Sequence, residues 1–319
     1  MIKKLLLLLI ICGGAAVFLF YYVQKIIHTP LQLENEVIFQ IPTGSSLEKV
    51  ATILEENKLI ENRYYFIALA KFTRLYPQIK AGEYMISGNV SLQNVVDLLA
   101  SGKLHWRKIT FAEGLTSREI SELLYDNELL DGDFTPFKEG DFLPETYIFS
   151  RGEKRQKIVN QGKDALQKVL QKAWNERDTD LPLKNKEEML ILASIVEKET
   201  GIAGERPQVA SVFINRLRKG MLLQTDPTVI YAITHGKYDL NRPLMRKDLE
   251  IDDQYNTYKY AGLPPTPICN PGAASIMAVA HPDKTPYLYF VASGNGGHNF
   301  ARSLSEHNAN VNKWRRLNK

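Results

Sequence analysis

The sequence predicts an α+β protein in three parts: an N-terminal transmembrane helix, a small α/β module and a larger mixed α+β domain. Three observations carry that reading. Residues 5–23 are nineteen consecutive uncharged residues, enough to cross a bilayer as one helix. The next stretch alternates strand-like and helix-like patterns at short spacing. From residue 186 onward, short helical patterns alternate with polar loops rich in glycine and proline. At 319 residues, 44% hydrophobic and 24% charged, the chain is long enough for two or three domains.

The apolar segment is long for a signal-peptide core and no small-residue cleavage site follows it, so a retained anchor is expected. Ile11 before Cys12 argues against a lipoprotein-type cysteine. Lys3 and Lys4 keep a tail at 1–4 in the cytoplasm, which exports the remainder despite Lys25 on the other side. Residues 24–33 read as a short stalk. The module at 34–103 begins with a strand over 36–41, a glycine turn, and a helix over 47–56 with Val50, Ile53 and Leu54 on one face. A second helix over 63–72, a returning strand over 82–86 and a helix over 92–100 capped by Ser91 complete it.

The larger domain spans 104–319. An echo at a spacing of 70 residues links its start to the module: Gly44, Val50, Ile53, Leu54, Asn57 and Leu59 match Gly114, Ile120, Leu123, Leu124, Asn127 and Leu129. The match predicts a repeated unit of strand, glycine turn, capped amphipathic helix and Asn-x-Leu ending. Residues 151–177 lack proline and are rich in charge, which predicts one long exposed helix, broken at 178–182. A buried strand is expected over 287–291, followed by a turn over 294–298.

Several chemistries are poorly supported. Without the anchor-flanking Lys3, Lys4 and Lys25, 37 basic residues face 36 acidic ones, so there is no basic stripe for nucleic acid. Cys12 lies in the apolar segment and Cys269 stands alone outside it, which leaves no intramolecular disulfide and no cysteine metal site. His235, His281, His298 and His307 lack the spacing of a metal site, so no metal is expected. The glycines at 294–297 lack the context of a phosphate or dinucleotide loop, and no cofactor is expected. No G-x-S-x-G elbow supports a serine nucleophile.

A carboxylate remains. On a helical wheel, Met189, Leu192, Ile195 and Val196 form one apolar face, and Glu199 falls near its middle while Glu197 and Lys198 fall to either side. With Gly201 as the helix stop, Glu199 sits in the last turn at the negative end of the dipole. Burial and dipole both raise its pKa, which suits a general acid. The bland alternative is a surface Glu on a helix that ends early. The run 221–228 then presents Gln224, Thr225 and Asp226 before a proline-initiated helix, with Asp226 most simply its N-cap and Gln224 and Thr225 available to a sugar or acetamido group. Tyr255, Asn256 and Tyr258 offer rings and an amide beside the rigid, proline-dense loop over 262–272, although any one Tyr could be core. A carboxylic acid among amides, hydroxyls and rings points to glycosidic bond chemistry.

The runs Ala193-Ser-Ile-Val-Glu-Lys-Glu-Thr200, Val209-Ala-Ser-Val-Phe-Ile-Asn-Arg-Leu217, Leu223-Gln-Thr-Asp-Pro-Thr-Val-Ile-Tyr231, Tyr255-Asn-Thr-Tyr258, Gly262-Leu-Pro-Pro265 and Thr285-Pro-Tyr-Leu-Tyr-Phe-Val291 resemble the endolytic murein transglycosylases, the MltG or YceG-like family. Leu143-Pro-Glu-Thr-Tyr147, Gly296-Gly-His298, the 34–103 segment (LysM-like in the family) and the anchor extend the resemblance over nearly the whole chain. It implies a single-pass inner-membrane lyase whose catalytic domain acts on peptidoglycan glycan strands outside the cytoplasm. Such an enzyme cleaves the N-acetylmuramic acid–N-acetylglucosamine β-1,4 bond within a nascent strand and leaves a 1,6-anhydro end. The family's catalytic Glu maps onto Glu199, with Gln224, Tyr255 and Asn256 as candidate substrate contacts. Penicillin-binding synthases are the partners implied, and nucleic acid is not. Rival readings are a hydrolase with Asp226 or Glu145 as second carboxylate, a non-catalytic membrane-tethered scaffold that binds peptidoglycan, and an exported metallopeptidase.

Overall fold

The computed structural model describes residues 2–294 and 296–317; Met1 of the expected tail and Asn295 of the expected turn lie outside them. The chain forms two compact units, one of residues 1–107 with 148–151, the other of 108–147 with 152–319.

In the first unit, α1 (Ile2–His28) is long and apolar enough to cross a bilayer. The stalk expected over 24–33 is not a free linker. Residues 24–28 are the last turns of α1, Ile26 packs against the unit's hydrophobic core, and β1 (Leu31–Gln32) pairs with a later strand. The continuation is physically ordinary: residues 24–28 contain no glycine or proline to stop the helix.

Then follow β2 (Val37–Ile41), α2 (Leu47–Glu56), α3 (Arg63–Phe72) and β3 (Gly82–Ile86), with β2 and β3 antiparallel from Val37↔Ile86 to Ile41↔Gly82. Alternation in β2 turns Phe39 and Ile41 inward, and Phe39 stacks on its cross-strand partner Tyr84 with ring centres 5.7 Å apart. The short β4 (Asn89–Val90) pairs with β1 and leads into α4 (Leu92–Ser101), where Ser91 and Asn94 form a reciprocal capping box. Val50, Leu54, Phe66, Val95 and Leu99 fill the core between the helices and the β2–β3 pair.

The second unit opens on the predicted echo. After β5 (Arg107–Thr110), Gly114 turns the chain at φ 79°, as Gly44 does at φ 77° before α2. Thr116 then caps α5 (Ser117–Asp126) through the Glu119 amide, as Ser46 caps α2 through Lys49, and both helices stop at an Asn. Next come β6 (Leu130–Asp131), β7 (Thr146–Phe149), β8 (Glu153–Lys154) and α6 (Arg155–Glu176). The helix α6 starts four residues later than expected and is not all exposed. Ile158, Val159, Leu166 and Leu170 are buried, because their 3–4-residue spacing makes an apolar stripe within the charge.

The core of this unit is built around α7 (Lys186–Glu199). Asn185 caps it through the Glu188 amide, and Glu187 and Glu188 in the first turn complement the dipole. Every residue from Met189 to Val196 is buried, so the apolar face on the wheel understates the burial: α6, α8 (Arg206–Arg218), α9 (Asp226–Thr234) and α10 (Ala273–Ala280) pack around α7. The unit closes with the hairpin β9 (Tyr289–Ala292) and β10 (His298–Ala301), then α11 (Leu304–Leu317). The strand expected over 287–291 is thus shifted to start two residues later, and it is half-buried, with α11 against it.

Candidate active site

Glu199 is the last residue of α7, after which Thr200 takes an extended conformation and ends the helix. Two contacts fix this turn from behind. Glu197, the other acid of the motif, is 5% exposed and accepts the Gly272 amide at 2.9 Å while pairing with Arg206 at 3.4 Å. Arg206 in turn reaches Glu113 at 3.1 Å. Glu197 therefore ties the end of α7 to the starts of α8 and α10, and it is not among the residues that line the cleft beside Glu199.

Glu199 faces a cleft of about 470 Å³ that is also lined by Phe213, Arg216, Gln224, Asp226, Tyr258, Tyr289 and His307. Burial pushes its pKa up from 4.5 to about 7; a hydrogen bond from Thr225 and the charges of His298 and Arg216 oppose the rise, while Asp226 adds to it. The Thr225 hydroxyl donates to Oε1. Oε2 takes no hydrogen bond among the described residues. The carboxyl group is thus half protonated near neutral pH, with one oxygen held and the other available.

The loop opposite Glu199 is shaped by a small network of hydroxyls. Gln224 adopts a left-handed conformation (φ 51°), and its amide donates to the Thr257 carbonyl at 3.1 Å. The Thr225 amide donates to Thr257 Oγ1 at 3.1 Å, which also pairs with Thr228 Oγ1 at 2.8 Å. Thr225, not Asp226, is the N-cap of α9. Asp226 is instead the first helical residue, where its charge favours the dipole, and it accepts a 2.6 Å hydrogen bond from the Tyr258 hydroxyl. The Thr225 hydroxyl is committed to Glu199, so the N-cap makes no side-chain bond to its own helix.

The structure separates the residues that sequence reasoning grouped as contacts. Gln224 lines the cleft. Tyr255 does not; its ring packs against Tyr231 and His235, and its hydroxyl pairs with Thr266 at 2.6 Å. Asn256 is fully buried, donates to the carbonyls of Leu249 and Ile251, and accepts the Tyr258 amide. A buried amide with each of these groups paired serves the loop, and it is Tyr258 that reaches the cleft. Glu145 is exposed and lies outside the cleft lining.

Arg216 was hidden in the sequence, where Arg216, Arg218 and Lys219 read as a cationic helix end. It is 8% exposed, donates through Nε to Leu288 and through Nη1 to Leu222 and Leu223 carbonyls, and lies over the Tyr289 ring at 5.1 Å. A signal existed. Arg216 falls on the same wheel face as Val209, Val212 and Phe213, the anomaly that singled out Glu199. Burial lowers its pKa, yet guanidinium remains a cation. His307, stacked on Tyr289 at 5.3 Å, is pushed below its ordinary range by burial and by Arg216.

With this geometry in hand, the model of the YceG-like family matches residues 39–313 of the sequence. The chain belongs to the YceG-like family. An endolytic murein transglycosylase of Bacillus subtilis is 32% identical over 315 residues, covering 87% of this chain and 84% of that relative. One from Streptococcus pneumoniae is 26% identical over 341 residues, and the match spans 91% of this chain but 60% of the relative. The crystal structure of a YceG-like protein from Listeria monocytogenes, 30% identical, superposes with a TM-score of 0.53 over 87% of this chain and 99% of that one.

Proposed function

We propose that this YceG-like chain is a membrane-anchored endolytic lytic transglycosylase of peptidoglycan, with Glu199 as its general acid and base. The observation that carries the reading is a single buried carboxyl group, raised to about 7, at the wall of a cleft large enough for sugar. Its relatives' shared activity supports the reaction class. In this mechanism, protonated Glu199 donates through Oε2 to the glycosidic oxygen between N-acetylmuramic acid and N-acetylglucosamine. The carboxylate then takes the proton from the muramoyl 6-hydroxyl, which closes on its own anomeric carbon and leaves a 1,6-anhydro end. No water is consumed, so one carboxyl group suffices.

Arg216 at the cleft keeps the carboxylate tolerable after donation, and Thr225 holds Oε1 so that the proton resides on Oε2. Gln224 and Tyr258 are the side chains placed to bind sugar. In the first unit, the β2–α2–α3–β3 arrangement agrees with a LysM-like module over 34–103. Its groove of about 270 Å³, bordered by Pro42, Gly44, Ser45 and Tyr76, is suited to a glycan strand. By the charge bias around α1, the chain beyond that helix lies outside the cytoplasm, where nascent strands and penicillin-binding synthases would meet it.

Asp226 in the same cleft gives the hydrolase reading its one supporting observation. Digesting sacculi with the full chain and weighing the muropeptides separates the two. Anhydro ends are expected; reducing ends that incorporate heavy oxygen from labelled water establish hydrolysis. Glu199→Gln with an unchanged muropeptide profile returns the protein to a non-catalytic scaffold.

A further inference from the structure

We propose that α3 is a membrane-surface element, whose outward face rests in the headgroup layer of the bilayer that α1 spans. The inference rests on the anchor reading above. Three observations in the first unit carry it.

The first is the face itself. Tyr64 is 64% exposed and Phe72 is 89% exposed, and on a wheel both share one arc with Tyr65, Ala68 and Lys71. Phe66 and Ala70 occupy the opposite, buried side. A helix of a small domain normally turns its rings inward; here two tyrosines and a phenylalanine point out. Tyrosine is enriched where a bilayer meets water, because it has an apolar ring and a polar tip.

The second is position. The apolar stretch of α1 ends at Val23, and Ile26 is already packed in the core of the unit. Three helical residues span about 4.5 Å. No stalk lifts this unit from the membrane. Tyr22 and Lys25 of α1 line the same cavity as Asn62 and Tyr65, so the start of α3 lies at the depth where the anchor leaves hydrocarbon.

The third is charge. Residues 63–74 contain Arg63, Lys71 and Arg74 and no carboxylate. Cations beside aromatic rings match anionic lipid headgroups. Glu55 contacts Arg63 only at 4.0 Å, while the guanidinium donates to the Tyr64 hydroxyl at 3.3 Å, which keeps the cation on the outward, aromatic face.

The test places single cysteines at Tyr64, Ala68 and Phe72, and separately at Tyr22, in a full chain carrying Cys12→Ala; Cys269 is buried and stays. Each is labelled with a small fluorophore in vesicles of phosphatidylglycerol and phosphatidylcholine doped with headgroup-nitroxide lipid. The expected result is loss of fluorescence at all three α3 positions, to about the same extent as at Tyr22. Quenching at Tyr22 with bright labels on α3 overturns the inference and leaves the anchor standing, with the face then belonging to a protein partner. Bright labels at all four positions overturn the anchor reading and the inference with it. Glu substitution at Tyr64 and Phe72 together is a second check: it leaves secondary structure intact and abolishes quenching at Ala68.

Discussion

At the residue scale, the proposed chemistry depends on where one proton resides. A carboxyl group with a pKa near 7 in the folded chain and 4.5 unfolded binds its proton more tightly when folded. Its contribution to stability is therefore complete below pH 4.5 and is lost as pH rises through 7, about 3 kcal/mol in all. Glu199→Gln removes that dependence. The variant is expected to abolish glycan cleavage and to melt at a higher temperature than the parent above pH 7, as followed by circular dichroism. The basic limb of the wild-type rate profile should fall at about pH 7. Thr225→Val moves the limb upward, because the lost hydroxyl favours the ionised form, and slows cleavage roughly ten- to a hundredfold through misplacement of the acid.

A second acid titrates in the same window and must be separated from the first. Glu139 is pushed up to about 7 by burial, against hydrogen bonds from Ser117. It holds the Asn270 side chain, away from the cleft lining. Glu139→Gln should flatten part of the stability profile between pH 4.5 and 7 and leave the pH–rate limb in place. A limb that moves with Glu139 instead assigns the wrong acid.

At the element scale, the end of α7 and two loops meet at the site, against a wall formed by α8, β9 and α11. α7 delivers Glu199 because it is buried along eight consecutive residues, which fixes its axis. The helix was legible in the sequence, since its apolar repeat and the misplaced acid obey a 3.6-residue period. The loops were not. Whether Tyr255, Asn256 or Tyr258 faces the sugar depends on backbone turns stabilised by contacts across some 30 residues, such as Thr225 with Thr257. Adjacent residues of one motif therefore take different roles. Steady-state kinetics should show it: Gln224→Ala raises KM, whereas Tyr255→Phe leaves KM unchanged. Asn256→Ala strips partners from two carbonyls and costs about 2–4 kcal/mol of stability.

Packing sets a further limit at this scale. Gly162 on α6 faces Phe142, and a β-carbon there would come within 2.1 Å of the ring. Gly162→Ala should destabilise the second unit by about 1–3 kcal/mol despite its better helix propensity, visible as a lower urea midpoint.

At the scale of the whole molecule, the apolar helix α1 and the rest of the first unit are one continuous body. The hydrophobic count located the apolar helix, but the residues after it read as a stalk because they are few and interrupted by polar side chains. Only the packing of Ile26 and the pairing of β1 with β4 show that the chain is already folded there. Trypsin should accordingly spare Lys25 in detergent-solubilised protein, as judged by mass. Rapid cleavage at that site means that the link is free.

The account is most directly tested by titrating the Glu199 carboxyl group itself, by carbon NMR of the folded protein with labelled glutamate assigned through Glu199→Gln. A midpoint near pH 7 is expected. A midpoint near 4.5, the value of an unburied side chain, contradicts it, because the group would then have no proton to give at neutral pH.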